Sequence, residues 1–121
     1  MRITKILVTG SAGLIGTQVV KDLLNNNFEV YSCYHQTKPK LGIAIHLDLT
    51  KKENILNIMK KIKPDIVIHL AAMTDVELCE TNKELASIIN TKSTEILALE
   101  SEKCNAFFMY MSTDYVFDGK V

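Results

Sequence analysis

The sequence predicts a doubly wound α/β domain built around one parallel β-sheet. Three observations support this prediction. Five short apolar runs are typical of buried strands, stretches with helical periodicity separate most of them, and a glycine-rich turn follows the first run. Strands that alternate with helices form a parallel sheet with helices on both faces. Because crossovers between parallel strands are right-handed, we expect the strand order 3-2-1-4-5.

The first predicted strand covers residues 3–9, and it leads into a turn that contains Gly10, Gly13 and Gly16. A helix is expected over residues 17–25, where apolar residues share one face. Glycines at these spacings also occur in plain turns, but a strand before them and a helix after them are typical of a Rossmann-type fold. In that fold the turn holds a pyrophosphate against the positive end of the helix dipole. The turn therefore predicts nucleotide binding.

Four further strands are expected, and they cover residues 28–34, 43–47, 65–70 and 106–111. Two capping boxes, Thr50 with Glu53 and Thr81 with Glu84, predict the starts of the two remaining helices. The helix after Thr50 has apolar residues at helical spacing, which are Ile55, Ile58, Met59 and Ile62. The long helix after Thr81 is expected to bury one apolar face, formed by Leu85, Ile88, Ile89, Ile96 and Leu99.

Length, charge and cysteine content favour some protein classes over others. The 121 residues suit one domain, residues 1–121. The net charge of zero and the short apolar runs predict neither nucleic acid nor a membrane as a partner. Cys33, Cys79 and Cys104 fit neither a disulfide framework nor a paired metal knuckle. We therefore expect reduced thiols, no metal and a cytoplasmic location.

Candidate ligand-binding residues lie at the carboxyl ends of the five predicted strands. They are Gly10, Cys33 with Tyr34, Asp48, residues 71–74, and Ser112 with Thr113 and Asp114. Because the ligand crevice of such a sheet lies outside the carboxyl ends of its strands, we expect these residues to converge in space.

The end of the second strand bears on the choice of cofactor. The NAD fingerprint has an acidic residue there, whereas this chain has Cys33, Tyr34 and His35. Lys38, Lys40 or His35 could instead meet a 2′-phosphate, or these residues form a solvated loop. We expect NADP or NAD as the cofactor, with NADPH slightly favoured.

Three other features have both a binding and a structural interpretation. Asp48 could accept a hydrogen bond from an adenine amino group with Leu49 against the ring, or it is a turn residue before a helix. Ala71 and Ala72 could let a flat ligand approach the backbone, and small residues also serve plain packing. Asn90 could bridge backbone groups near the sheet or lie exposed on its helix.

Four segments together resemble the extended short-chain dehydrogenase/reductase superfamily. They are residues 9–16 (TGSAGLIG), Asp48 with Leu49, residues 70–74 (LAAMT) and residues 112–119 (STDYVFDG). The last segment, with residues 74–80 and Asn90, is most similar to the dTDP-4-dehydrorhamnose reductase family. The resemblance covers essentially the whole chain but only the cofactor-binding half of such a protein. We therefore expect the sheet to stop before a substrate domain.

This resemblance implies a reductase that passes hydride from NAD(P)H to the C4 ketone of a dTDP-4-keto-6-deoxy sugar in dTDP-rhamnose synthesis. A nucleotide sugar is then the expected partner, and a homodimer stays open. Thr113 matches the hydroxyl that orients the substrate carbonyl, and Asp114 matches a neighbouring substrate contact. The residues expected to bind the cofactor are Gly10, Gly13, Leu14, Ile15, Gly16, Cys33, Tyr34, Asp48, Leu49, Ala71, Ala72, Met73, Thr74 and Met111.

The family's catalytic Tyr-x-x-x-Lys lies downstream of the STDYVFDG segment, so we expect the chain alone to be inactive. The Tyr-x-x-x-Lys formed by Tyr34 and Lys38 falls in the loop after the second strand, on the adenosine side, where a proton donor would not reach a substrate. Two alternatives stay open. One is a nucleotide-sugar epimerase or dehydratase of the same superfamily. The other is a non-catalytic NADP-binding subunit, such as the regulatory subunit of methionine adenosyltransferase.

Overall fold

The structure is a computed structural model that describes residues 2–70 and 83–111. Its centre is a parallel sheet with the order β3-β2-β1-β4-β5. The strands are β1 (Lys5–Thr9), β2 (Glu29–Tyr34), β3 (Ile43–His46), β4 (Ile66–His69) and β5 (Phe107–Tyr110). The predicted fold class and strand order are confirmed, and each strand is one or two residues shorter than expected.

Helices cover both faces of this sheet. They are α1 (Leu14–Asn25), α2 (Lys52–Ile62), α3 (Lys83–Ser87) and α4 (Ser93–Lys103), with a π-helical turn (Ile88–Lys92) between α3 and α4. Helix α1 begins three residues earlier than expected, directly after the glycine-rich turn. Among the described residues, no helix has the length and apolar character that crossing a membrane requires.

The core has two halves because side chains alternate across each strand. Ile6 and Val8 of β1 pack with Val20 of α1 on one face. Leu7 of β1 and Val67 of β4 belong to the other half, which also contains the four apolar residues predicted for α2. The apolar run of β1 thus becomes a central strand that is buried on both faces, as parallel strands usually are.

The predicted capping box of Thr50 and Glu53 is wrong. The N-cap of α2 is Lys51, which makes no side-chain capping bond. The hydroxyl of Thr50 donates instead to Asp48 Oδ1 at 2.6 Å. This bond to a carboxylate two residues away holds the Thr50 side chain in the turn that precedes α2. Thr81, on which the second predicted capping box depends, lies outside the described residues.

The π-helical turn changes which side chains of α4 face the core. Leu99 is 57% exposed, whereas Leu97 is 1% exposed and packs in the core with Ser93 and Ser101 buried beside it. The expected apolar face is therefore wrong at Leu99, although Ile96 still packs against the core. One extra residue in a π turn rotates the following helix by about 100°, which moves the buried face one residue along the sequence.

Side-chain hydroxyls support the π turn itself. The backbone N–H of Ser93 donates to the carbonyl of Ile88, five residues earlier. The Ser93 hydroxyl donates to the carbonyl of Ile89, and the Thr94 hydroxyl donates to that of Asn90 at 3.0 Å. Ile88 and Ile89 are half-buried, and the side chain of Leu85 is outside the described part of the chain.

Strand β5 forms one edge of the sheet, as predicted. Phe108 packs against the core, while Phe107 and Met109 on the opposite face are 64% and 49% exposed. Helix α1 lies on that opposite face, and the half of the core that it covers contains residues of β1, β2 and β4. Within residues 2–70 and 83–111, the part of the face that belongs to β5 is therefore apolar and has no helix packed on it.

Candidate functional site

The glycine-rich turn joins β1 to α1 at the carboxyl edge of the sheet. Gly10 has a φ of 67°, in the left-handed region that favours glycine. The N–H of Gly13 donates to the carbonyl of Gly10 at 3.1 Å and closes the turn. A Cβ atom on Gly16 would lie 2.0 Å from the same carbonyl oxygen. Gly16 thus allows α1 to approach the backbone of the turn closely.

Gly13 leaves the N-terminus of α1 open to an anion. It is the N-cap residue, and a Cβ atom there would meet only the carbonyl oxygen of Gly10, at 3.4 Å. The first turn of the helix, residues 14–17, is fully described and holds neither an acidic side chain nor a side-chain capping bond. The first N–H groups of a helix have no intrahelical partners and carry the positive end of its dipole. A pyrophosphate therefore fits this end of α1.

Ser11 connects the glycine-rich turn to the end of β2, and the sequence did not predict this role. Its buried hydroxyl donates to the carbonyl of Cys33 at 2.8 Å, and its N–H donates to the same oxygen at 3.4 Å. The thiol of Cys33 lies in the core, where burial raises the pKa of Cys33 to about 12. The thiol of Cys33 thus faces the core, and the predicted cofactor contact at this position is left to its backbone. The sequence signal for the role of Ser11 is its short hydroxyl side chain inside a glycine-rich turn.

A pocket of about 460 Å³ lies beside this turn. Ser11, Ala12 and Thr17 line it on the side of the turn and α1. Lys38 and Lys40 line it on the side of the loop between β2 and β3. Two of the three residues considered for a 2′-phosphate therefore lie near the predicted phosphate site.

The loop that carries these lysines is anchored to β2. The Ser32 hydroxyl donates to the carbonyl of Leu41 at 2.7 Å. Gly42 has a φ of 79°, and a Cβ atom on it would lie 2.4 Å from the Ser32 hydroxyl oxygen. The chain can therefore turn back into β3 only with glycine at this position without strain.

Asp48 follows β3, and its side chain belongs to the turn before α2, while the predicted adenine contact stays a prediction. Its Oδ1 accepts hydrogen bonds from the N–H and the hydroxyl of Thr50, at 2.9 and 2.6 Å. The hydroxyl bond is the main reason that the pKa of Asp48 lies below its ordinary value, and the nearby His35 contributes further. Its Oδ2 lies 3.9 Å from His35 Nε2. Asp48 is thus a turn residue that keeps one oxygen on the side of the β2–β3 loop.

Tyr34 and Leu49 lie beside Asp48 at this edge of the sheet. The ring of Tyr34 meets that of His46 edge-on, with centroids 5.5 Å apart. The Tyr34 carbonyl accepts the N–H of Leu47 at 2.8 Å, which fixes the end of β2 against β3. Leu49 is partly buried and packs against the core.

Three other residues that are predicted to contact the cofactor have exposed apolar side chains at the carboxyl edge of the sheet. Leu14 is 93% exposed, Ile15 is 53% exposed and Met111 is 47% exposed. Leu14 and Ile15 begin α1, and the N–H of Met111 donates to the carbonyl of His69 at the end of β4. These side chains are therefore available to a ligand lying across this edge.

The remaining predicted site residues lie outside the described residues and stay predictions. They are Ala71, Ala72, Met73, Thr74, Thr113 and Asp114. Within residues 2–70 and 83–111, no group of three or more histidine, cysteine or acidic side chains could hold a metal ion.

Comparison with known sequences relates the chain to one family, to a probable reductase of glycan biosynthesis and to a subunit of an adenosyltransferase. The family described as RmlD substrate binding domain matches residues 4–121. The probable low-salt glycan biosynthesis reductase Agl14 of Haloferax volcanii is 37% identical over 114 residues, which cover 93% of this chain and 38% of that protein. Methionine adenosyltransferase 2 subunit beta of Xenopus tropicalis is 34% identical over 116 residues, covering 95% of this chain and 34% of that protein.

Comparison with solved structures gives a similar result. The dTDP-4-dehydrorhamnose reductase of Bacillus anthracis, solved in complex with NADP, matches with a TM-score of 0.82 and 29% identity. The match covers 100% of this chain and 40% of that structure. The chain thus spans well under half the length of the relatives that it matches.

Proposed function

The chain belongs to the RmlD substrate binding domain family, and we propose that it is the dinucleotide-binding part of a nucleotide-sugar reductase. The observation that carries this proposal is the glycine-rich turn. Gly10 has a left-handed backbone conformation, Gly13 leaves the start of α1 without a side-chain cap, and Gly16 allows the helix to lie against the turn. The turn lies at the carboxyl edge of β1, where doubly wound sheets bind their ligands. The matched reductase from Bacillus anthracis holds NADP, which supports a nicotinamide cofactor here.

In the proposed binding mode the pyrophosphate accepts hydrogen bonds from the first N–H groups of α1. The adenosine half extends over the end of β2 towards the pocket beside Lys38 and Lys40. When bound, the nicotinamide supplies the hydride. Since β2 ends without a carboxylate and two lysines line the pocket, we propose that NADPH binds more tightly than NADH.

Calorimetric titration with NADPH and NADH tests this preference. The double variant Lys38→Ala, Lys40→Ala should weaken NADPH binding about tenfold and change NADH binding by less than about twofold. The variant Lys60→Ala, which removes an exposed lysine from α2, is the matched control. An unchanged NADPH affinity in the double variant would contradict the assignment of this pocket to the 2′-phosphate.

We propose further that the substrate is a dTDP-4-keto-6-deoxy sugar, reduced at its C4 ketone in dTDP-rhamnose synthesis. The similarity to dTDP-4-dehydrorhamnose reductase supports this substrate, and Thr113 and Asp114 are the predicted contacts. The test is NADPH consumption by the full-length gene product with this sugar. Thr113→Val should lower kcat, and Thr113→Ser, which keeps a hydroxyl, should retain most of it. The oligomeric state of the same sample tests the homodimer.

Two alternatives give different results in this assay. A nucleotide-sugar epimerase or dehydratase would convert its substrate without net consumption of NADPH. A non-catalytic NADP-binding subunit would bind NADPH without turning over any nucleotide sugar, and the similarity to methionine adenosyltransferase 2 subunit beta favours this second candidate. NADPH binding without turnover would therefore support the subunit and contradict the reductase.

A further inference from the structure

His69 lies at the boundary between the two halves of the sheet. It is the last residue of β4, and its register partner is Thr9, the last residue of β1. Strands β2 and β3 lie on one side of β1, and strands β4 and β5 lie on its other side. The boundary between β1 and β4 is thus the topological switch point, over which a doubly wound sheet binds a dinucleotide. His69 is 0% exposed beneath this boundary.

Both ring nitrogens of His69 have hydroxyl partners. Nδ1 lies 2.6 Å from Thr9 Oγ1, and Nε2 lies 3.0 Å from Thr94 Oγ1. The Thr94 hydroxyl donates to the carbonyl of Asn90 in the π turn. Since a carbonyl only accepts, we assign the ring proton to Nε2, which then donates to Thr94. Nδ1 accepts the hydroxyl proton of Thr9, whose oxygen accepts the N–H of Leu70 at 3.0 Å.

These bonds join three segments that surround the crevice. Thr9 directly precedes Gly10 of the glycine-rich turn, Leu70 is the first residue beyond β4, and Asn90 belongs to the π turn. The ring of Tyr110 stacks on His69 with centroids 5.5 Å apart, which restrains the imidazole from the side of β5. Burial also lowers the pKa of His69 to about 4, so the ring stays neutral near pH 7.

We propose that His69 is a positioning residue for the dinucleotide, because it fixes the spacing between the glycine-rich turn and the exit of β4. The inference rests on the proposed function. The pyrophosphate and nicotinamide half would lie over this boundary, whereas the adenosine half lies over β2, on the far side of β1. Loosening the His69 bonds should therefore weaken the binding of the whole dinucleotide and leave the binding of its adenosine half unchanged.

The test compares three variants by calorimetric titration with NADPH and with adenosine 2′-monophosphate, which lacks the 5′-phosphates that would contact the glycine-rich turn. His69→Leu removes both hydrogen bonds at similar volume, and it should raise the Kd for NADPH about tenfold. The Kd for adenosine 2′-monophosphate should change by less than about twofold. His69→Gln, whose amide accepts one hydrogen bond and donates another, should restore most of the NADPH affinity. Thr94→Val breaks only the bond to the π turn, and it should raise the Kd for NADPH about threefold.

If His69 had only a structural role, the His69→Leu substitution would lower the Tm and leave both dissociation constants of the folded protein unchanged. That result would overturn the proposal, and so would an equal loss of affinity for both ligands. If His69→Leu does not fold, Thr94→Val decides, since an unchanged Kd for NADPH in that variant overturns the proposal. Failure of the unmodified protein to bind either ligand would instead refute the proposed function.

Discussion

Alanine substitutions at Gly16 and Gly13 should have opposite effects on stability, although both glycines belong to one motif. A Cβ atom on Gly16 would lie 2.0 Å from the carbonyl oxygen of Gly10, far inside the 3.4 Å at which ordinary contact begins. The neighbour is backbone in a left-handed turn, so it cannot rotate away. Overpacking of this kind costs about 3 kcal/mol, and the higher helix propensity of alanine returns about 1 kcal/mol. We therefore expect Gly16→Ala to lose about 2 kcal/mol of unfolding free energy.

Gly13→Ala is the matched control. Gly13 has a φ of −74°, and a Cβ atom there would have its nearest contact at 3.4 Å. Alanine fits without strain and restricts the unfolded chain, so this variant should gain about 0.5 kcal/mol. For a domain of 121 residues, 1 kcal/mol shifts the Tm by about 4 °C, so the two variants should differ by about 10 °C. Thermal unfolding followed by circular dichroism measures this difference. Equal Tm values would refute the close packing of α1 on the turn.

Three further predictions concern the cofactor, the π turn and pH. Gly13→Val should stay folded and lose NADPH binding in calorimetry, because its side chain enters the path of the pyrophosphate. In urea unfolding, Leu97→Ala should cost about 3 kcal/mol and Leu99→Ala less than about 0.5 kcal/mol, since only Leu97 is buried. Stability should fall by about 3 kcal/mol as the pH drops from 6.5 to about 4, because the unfolded chain protonates His69 before the folded chain does. Unfolding curves of His69→Gln over the same pH range should lack this loss.

Each of these predictions has an outcome that would contradict it. Full NADPH affinity in folded Gly13→Val would separate the glycine-rich turn from the cofactor site. Equal losses of unfolding free energy in the two leucine variants would show that α4 does not bury Leu97 in preference to Leu99. An identical pH dependence in the unmodified protein and in His69→Gln would show that the buried imidazole is not the group responsible.

The fold was predictable because its signals are local and repeated. The apolar runs around Ile6, Val30 and Val67 became strands with buried side chains, and the handedness of parallel crossovers then fixed their order. The glycine-rich turn was predictable for a similar reason. The left-handed φ of Gly10 and the close approach at Gly16 are conformations that glycine alone adopts without strain.

Other features depend on competition between local partners, which a periodic pattern does not reveal. The apolar spacing that ends at Leu99 assumes an uninterrupted α-helix, whereas the hydroxyls of Ser93 and Thr94 support a π turn just before α4. Thr50 matched a capping pattern, yet its hydroxyl bonds the carboxylate of Asp48. The partners of His69 come from β1 and α4, so only the assembled fold brings them together.

The central position of β1 has a consequence for the order in which the chain can fold. β1 is made first, and its partner β2 follows soon afterwards, with Lys5 opposite Glu29. Its other partner is β4, with Ile6 opposite Ile66 about 60 residues later. Translation at about 5–20 residues per second leaves that edge of β1 without its partner for roughly 3–12 s. An apolar strand with an open edge can pair with other chains. We therefore expect the nascent chain to be prone to aggregation until β4 emerges from the ribosome.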